Sequence, residues 1–180
     1  MFTERSLTKR DAGSRLAQLV PDGEAAKELL QCCGSKRWAT QMAEARPYAN
    51  LTDVIARANE IWQSLDDNDW LEAFRSHPKI GEKKSAETVS AQSRQWSGQE
   101  QAGVNAASTE TTNALANLNR EYEQKFGFIF IICATGKTSD EMLAALRDRL
   151  EHDAADELPI AAGEQSKITE LRLKKLLTVA

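Results

Sequence analysis

His77 is one of two histidines in a chain of 180 residues, and it stands in His77-Pro78-Lys79-Ile80-Gly81. An imidazole titrates near neutral pH, so it donates or accepts a proton at little cost. Pro78 fixes its own φ and pushes His77 out of the α region, while Gly81 permits backbone angles that other residues avoid. Such a rigid, irregular loop suits general acid–base chemistry. It equally suits a loop histidine bonded to backbone.

Three further tracts carry possible chemistry. In Trp96-Ser97-Gly98-Gln99-Glu100-Gln101, the pair Ser97 and Glu100 matches the S-x-x-E capping box and predicts a helix start. A helix start presents backbone N–H groups and a positive dipole end to an anion. The run Phe126 to Ala134 reads as a buried strand with no evident sheet partner. Its backbone groups must find other partners, and a flat polar ligand is one candidate beside plain core packing. Arg172 lies between Leu171 and Leu173. Either its stem snorkels over apolar surface, or its guanidinium clamps a carboxylate in bidentate fashion. His152, next to Asp153 near a helix end, reads as structural. No metal motif is present, and Gly136-Lys137-Thr138 lacks the earlier glycine of a phosphate loop, where Ile131 stands.

The elements that must position these groups are mostly helical. Helices are predicted over 24–33 and over 36–45 before Pro47, then after Asn50, an N-cap with Asp53 at N3. Asp66 caps a short helix that ends near Ser76, because His77 precedes a proline. Residues 82–95 fit a loop or an exposed helix. A long helix is expected from Gln99 to Lys125, another after the T-x-x-E box Thr138–Glu141, and a last one with Pro159 in its first turn. The predicted fold is all-α, a single-domain helical bundle over residues 1–180 with one buried extended segment around 126–134.

With a formal net charge of −4, the chain lacks the basic balance of a nucleic-acid binder. Its three cysteines, Cys32, Cys33 and Cys133, are an odd set without C-x-x-C spacing, which argues for a reducing compartment rather than a disulfide framework. Met1 to Arg10 lacks a signal-peptide core, no apolar run spans a bilayer, and the C-terminus lacks Ser-Lys-Leu. A cytoplasmic protein, with no membrane or nucleic-acid partner, is expected.

In order along the chain, Ala45-Arg46-Pro47-Tyr48, His77-Pro78, Ser97-Gly98-Gln99-Glu100-Gln101, Leu118-Asn119, Tyr122, Phe126 to Ile131, Lys167-Ile168 and Leu171-Arg172-Leu173 form one pattern. It resembles the 2-oxo-4-hydroxy-4-carboxy-5-ureidoimidazoline (OHCU) decarboxylases of urate breakdown. Lys125, Tyr48 and Ile129 depart from that family's usual residues, away from the proposed catalytic trio. The resemblance implies an all-helical fold, often dimeric, that converts OHCU to (S)-allantoin without cofactor or metal. It implies His77 as proton donor, with Glu100 and Arg172 in the active site. It also implies substrate contacts from Pro78, from Ser97, Gly98, Gln99, Glu100 and Gln101, and from Phe130, Ile131, Ile132, Cys133 and Ala134. Two other classes remain open on the residues: a non-catalytic helical interaction module, and a lyase or hydrolase acting on another carboxylated heterocycle.

Overall fold

Helix starts in this chain are set by short polar side chains that accept hydrogen bonds from otherwise orphaned backbone N–H groups. A computed structural model describes residues 22–80, 91–100 and 107–178. Among them lie eight helices: α1 (Asp22–Cys33), α2 (Lys36–Glu44), α3 (Leu51–Ser64), α4 (Asp67–Arg75), α5 (Ala91–Glu100), α6 (Thr109–Phe126), α7 (Ser139–Leu150) and α8 (Ala154–Thr178). No strand occurs among the described residues, so the all-α expectation holds. None of the described helices is long and apolar enough to cross a membrane. The chain divides into two compact units, Met1–Asp69 with Ile168–Ala180, and Trp70–Lys167.

In the first unit α2 packs on α1 and on α3. Ser35 caps α2 by accepting from the Trp38 N–H, and the Trp38 indole donates to the Ala58 carbonyl at 3.0 Å. Asn50 caps α3 by accepting from the Asp53 N–H at 3.1 Å, as the sequence predicts. Asp66 likewise accepts from the Asn68 N–H at 2.9 Å at the head of α4. The Tyr48 hydroxyl donates to the Met42 carbonyl, and burial pushes its phenol up to about 12. Cys32 and Cys33 are buried and outside any disulfide.

In the second unit α6 packs on α7. Helix α6 stops at Gly127, whose φ of 79° is a left-handed cap that favours glycine. Phe128 then sits against Phe74, and Phe130 meets Tyr122 edge-on at 5.3 Å between centroids. Thr138 and Glu141 form the predicted capping box of α7.

Three expectations about elements fail. Ser97 and Glu100 lie within α5, after six helical residues, and do not open a helix. The helix expected from Gln99 begins only at Thr109, because Ser108 supplies the cap by accepting from the Thr111 N–H at 3.1 Å. Pro159 sits six residues into α8, because the carbonyl of Asp153 accepts from the Asp156 and Glu157 N–H groups and starts the helix earlier. Of residues 82–95, left open between loop and exposed helix, 91–95 are helical and 82–90 lie outside the described residues.

Candidate functional site

The loop after α4 is held from both sides of His77. The Ser76 and His77 N–H groups donate back to Ala73 and Phe74 carbonyls at 3.0 and 3.1 Å, which closes the helix. Beyond Pro78, Lys79 pairs with Glu123 at 2.6 Å, and the Asn119 side-chain amide donates to the Ile80 carbonyl at 3.4 Å. Asn119 and Glu123 lie four apart on α6 and so share a face. Ile80 is buried, and so is the Nε2 atom of His77. The loop is thus tied to α6 by two polar anchors.

Helix α5 presents its candidates on two faces. Trp96, Ser97 and Glu100 are buried, whereas Gly98 and Gln99 are exposed. Three residues apart on a helix, Ser97 and Glu100 point the same way. Glu100 is 8% exposed. A carboxylate is rarely buried this far without a purpose or a partner. Ser97 is already helical, which removes the expected helix-start amides as an anion cradle. Gln101 and Gly81 lie outside the described residues.

The non-helical strip is buried at Phe130, Ile131, Ile132 and Ala134, and Cys133 is half-buried. Two of its backbone groups are bonded by charged side chains. The Ile131 carbonyl accepts from Arg149 Nη1 at 2.5 Å, and the Cys133 N–H donates to Glu164 Oε2 at 2.7 Å. The Ala134 carbonyl accepts from the Lys137 N–H at 3.0 Å. Burial pushes the Cys133 thiol up, and the carboxylates of Glu164 and Glu100 push it further against a backbone bond from Thr135. Glu100 therefore acts electrostatically on the strip. Burial raises the Glu164 carboxyl, but Lys167 and the Cys133 N–H outweigh that and hold it below the usual carboxylate range.

Behind the strip lies a buried polar cluster. Arg149 Nε donates to Glu157 Oε1 at 2.6 Å, Tyr122 donates to the same oxygen, and His152 Nδ1 lies 2.8 Å from Glu157 Oε2. Glu157 is fully buried, so a missing partner would leave an unmatched charge in the core. The Arg149 guanidinium stacks 4.6 Å from the Phe130 ring. Burial drives the Tyr122 phenol far above its ordinary range. His152 is structural, as its sequence setting suggests.

Arg172 belongs to the first unit and is 1% exposed, which overturns the snorkelling surface reading. One guanidinium nitrogen reaches the Gln31 carbonyl at 3.4 Å. Burying an always-charged group is costly unless it is paired.

Sequence reasoning missed Glu164, Arg149 and Glu157. Each is an ordinary helix-surface residue type at no motif spacing. The one available signal was that a lone extended run needs bonds from somewhere. No group of His, Cys, Asp and Glu among the described residues could hold a metal ion. An open cleft of about 420 Å³ is lined by Leu118, Glu121, Lys125, Arg147, Leu150 and Glu151, and none of the candidate residues contributes to it.

The profile of the OHCU decarboxylase family matches residues 18–174, and the chain belongs to that family. It is 43% identical over 148 residues to a uric acid degradation bifunctional protein of Arabidopsis thaliana, a match that covers 82% of this chain but 45% of that one. The chain thus spans less than half of that relative's length. It is 32% identical over 140 residues to the 2-oxo-4-hydroxy-4-carboxy-5-ureidoimidazoline decarboxylase of Amia calva, covering 77% of this chain and 79% of that protein. A crystal structure of OHCU decarboxylase in the presence of (S)-allantoin superposes with a TM-score of 0.74 at 40% identity, over 89% of this chain and all of that one.

Proposed function

We propose that the chain is a carboxy-lyase that converts OHCU to (S)-allantoin without cofactor or metal. The observation that carries this reading is the family match over residues 18–174, which includes every residue of the candidate site. In OHCU the carboxylate and a hydroxyl share one ring carbon, and the adjacent carbon is doubly bonded to nitrogen. The bond to the carboxylate breaks, carbon dioxide leaves, and the electron pair runs through the adjacent carbon to the imine nitrogen, which takes up a proton. Protonation of that adjacent carbon on one face, with the hydroxyl becoming a carbonyl, gives one hand of allantoin. The substrate is its own electron sink, as a β-keto acid is.

In this reading His77 delivers or polarises the proton, a role that typically contributes ~10²–10⁴-fold. Glu100 orients His77 or contacts the substrate hydroxyl. Arg172 anchors a carboxylate or ureido oxygen through its planar fork. Pro78, Ser97, Gly98, Gln99, Gln101 and the strip Phe130, Ile131, Ile132, Cys133 and Ala134 contact the ring. We further propose that residues 1–180 act as one catalytic domain, as a homodimer in the cytoplasm.

The test generates OHCU in situ from urate and follows optical activity. An excess of (S)-allantoin over the uncatalysed blank is expected, together with faster loss of OHCU; an excess of the other hand would contradict the reading. Racemic product at the blank rate would overturn the reading and leave a non-catalytic helical module or a lyase for another carboxylated heterocycle.

A further inference from the structure

A backbone run that belongs to no helix or sheet must still satisfy its polar groups. In this chain the middle of the strip is bonded by side chains from two helices. Arg149 of α7 donates to the Ile131 carbonyl, and Glu164 of α8 accepts from the Cys133 N–H two residues later. Each of these side chains is fixed by another group. Arg149 is locked by Glu157 and Tyr122, and Glu164 Oε1 by Lys167 Nζ at 2.5 Å. A guanidinium is only a donor and an ionised carboxylate only an acceptor, so the two bonds have complementary and fixed polarity.

We infer that Glu164 is a positioning residue for substrate binding: with Arg149 it replaces the missing partner strand and holds the Ile131–Cys133 backbone where a ring can bond to it. The inference rests on the proposed role of residues 130–134 as substrate contacts. Glu164 itself need not touch substrate. Its Oε2 is already taken by a strip amide, and its second oxygen by Lys167. The fit depends on the acceptor being present at neutral pH, and the two bonds to Glu164 keep it ionised there. Charge-assisted bonds of this kind are stronger than neutral ones and lock geometry as well as energy.

The experiment compares full-length wild type, Glu164→Ala and Glu164→Gln. It measures amide hydrogen exchange at Cys133, and kcat and KM on OHCU formed in situ. Glutamine keeps a carbonyl acceptor at the same reach. In Glu164→Ala, exchange at Cys133 is expected to accelerate by about tenfold or more, and KM to rise about ten- to hundredfold, with kcat nearly unchanged. Glu164→Gln is expected to restore both. Unchanged exchange in Glu164→Ala would overturn the inference, as would an unchanged KM, or equal losses in the alanine and glutamine variants. Should Glu164→Ala fail to fold, Glu164→Asp withdraws the acceptor by one methylene, and the same two changes are expected. If wild type gives no enantiomeric excess, the decarboxylase reading and the substrate half of this inference fall together, while the exchange rate still decides whether Glu164 holds the strip.

Discussion

Two tracts share the pattern of a hydroxyl residue followed three places later by glutamate, and they do opposite things. Thr138 and Glu141 close a reciprocal box at the head of α7, where each side chain satisfies the other's backbone N–H. Ser97 and Glu100 lie within α5, on one buried face. Glu141 is spent on its own helix, and its carboxyl is held below the usual range by the Thr138 N–H. Glu100 opens no helix, and its negative field reaches Cys133. The same local signature thus yields a capping glutamate in one place and a glutamate on a buried helix face in the other. The difference lies in what precedes each tract. Gly136, with φ of 80°, breaks the chain before Thr138, whereas Ser97 is preceded by six helical residues.

The largest effect expected is at His77, the group that Glu100 is proposed to serve. His77→Ala should abolish catalysed turnover of OHCU and leave the helical circular dichroism spectrum intact. Retained turnover would remove His77 from the mechanism and leave Glu100 with nothing to orient. Next, one substitution can be made at both glutamates. Glu100→Gln should lower kcat by ~10²–10⁴-fold with little loss of thermal stability, since glutamine keeps the side chain's shape and a carbonyl acceptor. Glu141→Gln should change neither, because glutamine also completes a capping box. Equal effects at both positions would erase the contrast.

Smaller effects sharpen it further. Thr138→Ala should cost about 1 kcal/mol of unfolding free energy, with kcat and KM unchanged. Ser97 should show the reverse profile. Gly98→Ala probes the exposed side of α5. A Cβ built there meets no atom within 4 Å, so packing does not require glycine. Alanine should raise stability by up to about 1 kcal/mol through helix propensity. A simultaneous rise in KM would mean that substrate approaches the bare backbone at Gly98. An unchanged KM would place the contact on the buried face alone.

Much of the fold was legible because it is local. The caps at Asn50, Asp66 and Thr138 each depend on residues within three positions, and each lies where the sequence puts it. The misplaced boundary at Ser97 has a physical reason. Ala91 to Gln95 is polar and carries no apolar period, so no helix announces itself there. Pro159 misled for a related reason: proline fits a first turn best, yet α8 tolerates it one turn further in. At the candidate site, the need of the 126–134 run for external partners was legible, but their identity was not. Arg149 and Glu164 lie 18 and 31 residues from the groups they bond, and no spacing rule reaches that far. The burial of Arg172 was equally hidden, because two flanking leucines suit a snorkelling stem as well as a buried one.

The placement of the three thiols makes the chain its own stopwatch. Cys32 and Cys33 end α1 without any exposure, whereas Cys133 is half-buried in the other compact unit. An alkylating reagent reaches Cys133 through small local motions, at a rate that climbs with pH because burial suppresses its thiolate. It reaches the Cys32–Cys33 pair only when the surroundings of α1 come apart. A single mass-spectrometric time course should therefore show one mass step on the timescale of native fluctuation and a later pair of steps on the timescale of unfolding. Ligands of the native state should delay the second event by the free energy with which they bind.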